Sequence, residues 1–399
     1  MNNSLASQLG VRPEASIGHA VLVLAVGLVV LTTNCLVPTL VGVYVDTFGL
    51  SVREAGLTAA VYMAGGGLGA AAVSWLLLHK STVGLLAAAL VALIVGNVAS
   101  VYVHSFAAIL AVRIVAGLGE GAGYALMGAG VSRMRNPHRM YGIFDVLMLS
   151  LAAAIQYSIP WLRGSFGPHV LFVLIAIVPA LVLPFIRGFP DLSRPPLGSV
   201  RTERASGGSW RPEAFFVAGV AATLVAYIAY GAGFTYIERI GVHAGVPPDT
   251  VAQMLGAGYF IGVGGAALAI ALSNVRARGG LVFVALLVVI LSTVLTVTML
   301  PLAYRIGVLV LFFAWFFFAP NLMGLMSQAD PSGRLAAFTA GAQEWGIALG
   351  PAIAGIWADG GGFTAVAWIG LCGYGLTMLL LLPVLRHIAK GDLPVRGQN

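Results

Sequence analysis

The stretch RIVAGLGEGAGYAL, Arg113 to Leu126, sets an arginine and a glutamate seven residues apart in a run, Phe106 to Val131, that is otherwise almost wholly apolar. Two chemistries suit such a pair. Away from water a carboxylate is driven toward its neutral form, so Glu120 could carry a coupling proton. A guanidinium stays charged, so Arg113 could either bind an anionic group or modulate the protonation of Glu120. At roughly 100° per residue, Arg113, Gly117, Glu120 and Tyr124 return to one helical stripe. Gly119 and Gly123 lie around the helix, where a neighbour can approach closely. Seven residues rise roughly 10 Å, too far for an easy direct ion pair. Each charge at a membrane-helix centre costs about 2.5–3.5 kcal/mol, so the stripe should face a cavity or a polar partner. The structural alternative is a pair of buried anchors holding this helix against its neighbours.

Other polar residues fall deep in apolar runs. Glu344, in GAQEWGIALGP, is a further candidate proton site or substrate contact, and the Pro351 that follows can bend its helix. Tyr227 and Tyr230 share a stripe with Phe234 and Glu238, and tyrosine can both stack on an organic solute and hydrogen-bond it. Trp315 and Asn321 flank Pro320, and Asn34 precedes Pro38; proline beside an amide suggests locally freed backbone near a cavity. Asp145 with Arg133, Arg135 and Arg139 suggests a gating or anchoring salt bridge. Asp46 and Glu238 each close a Tyr-x-acid triplet ahead of a short loop, so both are expected as external loop or gate residues. The histidines lie near helix ends or loops and show no metal-ligand spacing. Cys35 and Cys372 are expected as separate membrane thiols. No metal and no cofactor is expected.

The elements that position these residues must be membrane helices. With 59% hydrophobic and 9% charged residues, the chain cannot coat a 399-residue globule with polar surface. Twelve apolar runs reach the ~20 residues that cross the hydrocarbon core, among them approximately 18–45, 106–132, 140–162, 214–237, 304–327 and 335–357. The expected fold is all-α, twelve transmembrane helices in two pseudo-symmetric six-helix bundles. Residues 1–187 form the first bundle, 188–213 a cytoplasmic linker, and 214–399 the second bundle with a short cytoplasmic tail. Pseudo-symmetry rests on likenesses such as Tyr62 before Gly65 and Gly67 against Tyr259 before Gly262 and Gly264. Two such bundles place a binding site at their shared interface near the bilayer midplane. Lysine and arginine gather in alternate loops, which puts both termini in the cytoplasm and the chain in the inner membrane. No cleavable signal peptide is evident. The +7 net charge is then a topology signal and not a nucleic-acid footprint.

With RIVAGLGEG in the fourth helix, GIALGPAIAG in the eleventh and a polar central loop, the chain resembles the major facilitator superfamily across nearly its whole length. It departs from that pattern at LMLSLAAAIQYSIP in the fifth helix, which lacks the antiporter glycine–proline motif, and at SWLLLHKS between helices two and three. The resemblance implies a secondary transporter working by alternating access. It also implies a role in proton coupling for Arg113, and a central cavity lined by helices one, four, seven and ten. Asn34, Glu120, Tyr124, Tyr227, Tyr230, Trp315 and Asn321 are pocket candidates on that ground.

The expected function is transport of a small organic solute, with an organic or aromatic acid suggested by Arg113 and a faint likeness of GLGEGAGYAL to organic-anion symporters of the superfamily. Protons are the expected coupling ion, membrane lipid the surroundings, and a monomer the working unit. The alternative is proton-driven efflux of lipophilic compounds, for which Glu120 would attract cations. Direct ATP drive is disfavoured, since no GxxxxGK[ST] loop occurs. A membrane-embedded enzyme lacks a nucleophile–base pair or metal motif at depth. A non-transporting sensor is a distant alternative.

Overall fold

The computed structural model describes residues 17–77, 79–103, 105–134, 137–192, 213–272, 278–330, 334–359 and 362–389. Thirteen α-helices account for twelve spans among them. The first span is broken into α1 (Ile17–Cys35) and α2 (Val37–Asp46). Then follow α3 (Val52–Leu76), α4 (Thr82–Tyr102), α5 (Phe106–Ser132), α6 (Pro137–Phe166) and α7 (Val170–Val182), which continues into a 3-10 turn, Leu183–Gly188. The second set is α8 (Ala214–His243), α9 (Pro248–Ala271), α10 (Arg278–Val297), α11 (Pro301–Ala329), α12 (Arg334–Ala358) and α13 (Phe363–Ala389). Eleven described stretches are long and apolar enough to cross a membrane. The short α2 completes the first span, and α12, interrupted by Gln343 and Glu344, is the more polar twelfth. The chain divides into two compact units at residues 209 and 210. Most of the linker expected over 188–213 lies outside the described residues, as does Arg135.

Local chemistry sets the helix ends. Ser51 and Glu54 form a reciprocal capping box at the start of α3, with bonds of 3.1 and 2.9 Å. Ser81 and Ser105 cap α4 and α5 through the backbone N–H groups of Gly84 and Ala108. After α8, Gly245 takes φ +84°, and Val246 N–H bonds back to the Gly241 carbonyl at 3.0 Å. That left-handed closure suits a residue without Cβ.

One expectation fails at this end of α8. Glu238 is not a loop residue: the helix runs on five residues past it, and its side chain is buried. Neighbouring Arg239 makes the continuation affordable by gripping the Glu238 carboxylate through Nε and Nη2, the latter at 2.7 Å. The Tyr304 hydroxyl donates to the Ile237 carbonyl at 2.8 Å, against the flat side left by Gly241. Asp46, by contrast, is exposed as the last residue of α2.

Within each unit glycines set the helix spacing. A Cβ on Gly65 of α3 would lie 2.7 Å from the Ile114 carbonyl oxygen of α5, and one on Gly121 would run into the Gly66 backbone. On another side of α5, Gly119 meets α4 at Leu93 and Gly123 meets α1 at Val30. In the second unit, a Cβ on Gly346 of α12 would lie 2.7 Å from the Leu224 carbonyl of α8, and one on Gly231 of α8 would lie 2.7 Å from that of Ile347. Such close approach replaces the missing hydrophobic drive between helices in lipid. The outward stripe Val284, Leu287 and Leu291 of α10 is exposed in the chain, as a lipid-facing side must be.

Candidate functional site

In the first unit, α5 carries Arg113 and Glu120 into a layer of polar side chains. Arg113 is 2% exposed. Its Nη2 donates to Asn97 Oδ1 at 2.5 Å and to Ser100 Oγ at 3.0 Å, both on α4. Its guanidinium carbon lies 5.3 Å from the Tyr62 ring centroid and 5.9 Å from that of Phe172. Charge-assisted hydrogen bonds contribute roughly 1.5–3 kcal/mol each, and cation–π contacts of this length about 0.5–2 kcal/mol. Together they offset the ~3 kcal/mol that a centred charge costs. Among the described residues, Arg113 is therefore held without a contacting carboxylate. Its Nε–H meets no hydrogen-bond acceptor among the described residues.

Glu120, 6% exposed, faces other partners. The Tyr62 hydroxyl of α3 donates to its Oε2, and the Asn34 amide of α1 donates to its Oε1 at 3.3 Å. Tyr62 thus touches both charges, its hydroxyl on the carboxylate and its ring against the guanidinium. This spans the gap that one helix alone cannot close. Tyr124 continues the stripe, half-buried, with its ring 6.4 Å from Phe144.

Asn34 sits one residue before the Cys35 carbonyl, where α1 ends. Gln156, fully buried on α6, donates through Nε2 to that carbonyl at 3.1 Å and accepts from Thr39 Oγ1 of α2 at 2.9 Å. A side chain from another span so bonds the backbone at the break around Leu36.

The second unit brings Tyr227, Tyr230 and Trp315 together at mid-span. Tyr230 lies flat between Trp315, at 3.7 Å and 6°, and Phe234, at 5.1 Å and 15°. Tyr227 meets Trp315 edge-on at 5.1 Å. Trp315 is buried; both tyrosines are half-buried. Behind the stack, a cavity of about 20 Å³ between Tyr230, Thr293, Thr296 and Tyr374 has room for one water and no solute. Glu344 of α12 is exposed in the chain and close enough for its charge to act on the Tyr227 hydroxyl. Asn321 turns its amide onto its own helix, donating to the Phe317 carbonyl at 2.8 Å.

At the opposite end of the first unit from the α1 break, Arg133 donates to the carbonyls of Asp191 and Leu192 at 2.7 and 2.6 Å. Desolvation lowers the Arg133 pKa from the ordinary arginine value, and the charge of Asp191 opposes that shift. The Leu192 N–H bonds Thr82 Oγ1 at 2.8 Å, so this segment is tied to α4 and α5 together. Arg133 thus holds the chain leaving α7 through backbone carbonyls, in place of a salt bridge to Asp145. Asp145 is exposed and makes no ion pair among the described residues; Arg139 is exposed near the start of α6.

Reading residue types alone missed Tyr62 as a site residue, together with Asn97, Ser100 and Gln156. Signals for three of them exist. Asn97 and Ser100, three apart, are the polar pair in the second half of α4, and Gln156 is the lone amide of α6. Cys35 and Cys372 form no disulfide, and no group of metal-binding side chains forms among the described residues.

A model of the Major Facilitator Superfamily matches residues 22–343. No curated protein matches in sequence. Among solved structures the chain is similar to a D-xylose–proton symporter, with TM-score 0.72 and 17% identity, covering 92% of this chain and 96% of that one. It is similar to the xylose transporter XylE from E. coli, with TM-score 0.71 and 14% identity over 95% and 97% of the two chains. It also resembles a mutant of the nucleoside transporter NupG, with TM-score 0.69 and 11% identity over 92% and 98%. Identities so low speak for the fold alone. By its family match, its many apolar helices of membrane-crossing length and this shared fold, the chain belongs to the Major Facilitator Superfamily and is a multi-pass membrane transporter, not an enzyme.

Proposed function

We propose that the protein is a proton-coupled secondary transporter of a small organic solute, working as a monomer by alternating access. The observation that carries this reading is Glu120, a buried mid-span carboxylate held by two neutral donors, Tyr62 and Asn34. Both protonation states are accommodated there. Ionised, the carboxylate accepts from Tyr62 and Asn34; neutral, it can donate to the same tyrosine oxygen, which both gives and takes a hydrogen bond. A D-xylose–proton symporter on the same fold is a precedent for coupling, not for the sugar. The crowding of lysine and arginine into alternate loops supports an inner-membrane location with both termini cytoplasmic.

The organic-acid reading depends on Arg113, whose guanidinium is engaged by Asn97 and Ser100. A solute carboxylate would have to displace them. A second reading, export of lipophilic cations, is favoured by Glu344, a mid-span carboxylate exposed beside Tyr227. A thermal-shift screen of purified protein against organic carboxylates and organic cations at two pH values separates the two. Stabilisation by carboxylates that is lost on Arg113→Ala supports the acid; stabilisation by cations that is lost on Glu344→Gln supports the cation. With the hit in proteoliposomes, Glu120→Gln is expected to abolish accumulation driven by a pH gradient while sparing counterflow exchange. Unchanged accumulation in Glu120→Gln would remove Glu120 as the coupling group.

A further inference from the structure

We propose that Gln156 is a positioning residue for Glu120: by clamping the break in the first span it sets where the Asn34 amide meets the carboxylate. The proposal rests on the reading of Glu120 as the proton-carrying group. Its geometry runs through one peptide unit. Gln156 Nε2 holds the Cys35 carbonyl at 3.1 Å, and its Oε1 takes the Thr39 hydroxyl at 2.9 Å, so both sides of the break are tied to α6. Asn34 is the residue next to Cys35, and its Nδ2 reaches Glu120 Oε1 at 3.3 Å, near the upper limit of a hydrogen bond. Small displacement of the α1 end would therefore lengthen that bond past usefulness.

Gln156 and Thr39 are buried, so water cannot replace the bonds if they are cut. Pro38 in the first turn of α2 offers no N–H, so the Asn34 carbonyl four residues back loses its helical donor at the same break. The amide of Gln156 is suited to this task because it donates and accepts at once, one function for each side of the break.

Among the described residues, the titratable and charged groups that face Glu120 or its partners include Tyr62 from α3, Tyr124 and Arg113 on α5 itself, and Tyr44 of α2, which acts on Arg113. From α1 comes Asn34, from α4 Asn97 and Ser100, and from α6 Gln156, none of which titrates; Asp145 of α6 is exposed. Gln156 acts on Glu120 only through the placement of Asn34.

The test is an infrared titration of the full-length protein in lipid, following the carboxyl band that disappears in Glu120→Gln. Gln156→Met is expected to move the midpoint of that band by about one pH unit toward alkaline pH, as loss of a donor to the carboxylate requires. Asn34→Leu is expected to move it equally, and the double variant no further than either single one. Thr39→Val should give a smaller shift in the same direction, and Thr39→Ser should restore the wild-type midpoint. Thr39 variants keep Gln156 in place, so they decide the matter should Gln156→Met fail to fold. An unmoved midpoint, or shifts that add in the double variant, would overturn the role of Gln156 while leaving Glu120 standing. No titrating band sensitive to Glu120→Gln would overturn both readings.

Discussion

Arg113 and Glu120 lie on one helix, yet their partners come from four others, and Tyr62 is the residue that touches both. Phenylalanine at Tyr62 keeps the ring against the guanidinium and removes the hydroxyl from the carboxylate. A hydrogen bond to a charged group contributes about 1.5–3 kcal/mol, so Tyr62→Phe is expected to slow proton-driven uptake by roughly tenfold or more. Its pH optimum should move as well, which initial rates across pH will show; an unchanged profile would separate Tyr62 from Glu120. Asn97→Leu takes from buried Arg113 its shortest acceptor and is expected to cost about 3 kcal/mol. The readout is thermal unfolding in detergent, with Asn97→Asp as a control that keeps an acceptor. Of this group, Arg113, Glu120 and Asn34 were legible from type and depth in an apolar run. Tyr62 was not, because a tyrosine among glycines reads equally well as packing.

At the scale of elements, the glycine faces of α5 bring it against α3, α4 and α1, and that closeness is what lets short polar side chains reach its two charges. Gly121→Val would drive side-chain atoms into the Gly66 backbone of α3. Overpacking of this kind costs about 1–3 kcal/mol, and backbone cannot step aside as a side chain can. The expected result is a lower melting temperature together with loss of coupling. Gly350→Val, against Ile228 and Ala232 of α8, should lower stability similarly and leave the Glu120 titration unchanged. A Glu120 titration disturbed by Gly350→Val would overturn that expectation. The tenth span shows the limit of sequence reading. Proline beside Asn321 suggested freed backbone facing a cavity, but the amide folds back on Phe317, a local bond that competes with any outside partner.

For the molecule as a whole, the two units repeat a scaffold and differ in chemistry. Tyr62 of α3 meets Glu120 and Arg113 on α5, whereas Tyr259 of α9 packs edge-on against Phe312 of α11, ring centroids 4.8 Å apart. The tyrosine of the first unit thus meets a carboxylate and a guanidinium, and its counterpart in the second an aromatic ring. Dissipating the pH gradient with a protonophore is expected to abolish accumulation by proteoliposomes while leaving downhill equilibration. Accumulation that survives the protonophore and follows a sodium gradient would replace the proton as the coupling ion. Reporter fusions at each terminus test the cytoplasmic placement of both, and an external signal at either would reverse the orientation.

Composition and apolar run length were sufficient to determine a twelve-span helical membrane protein, because the hydrocarbon core sets span length and forbids unpaired backbone whatever the details of packing. They were also sufficient to mark Arg113, Glu120 and Glu344 as charges needing an explanation, since such charges cost free energy at that depth. Which partners supply the explanation was decided by tertiary structure alone. Asn97, Tyr62 and Asn34 stand sixteen, fifty-one and eighty-six positions from the charges they meet, and helix period relates residues within one helix but not between helices. The same holds for Glu238, whose place inside α8 depends on the grip of Arg239 and the seating of Tyr304 beside Gly241, contacts that only the folded unit assembles.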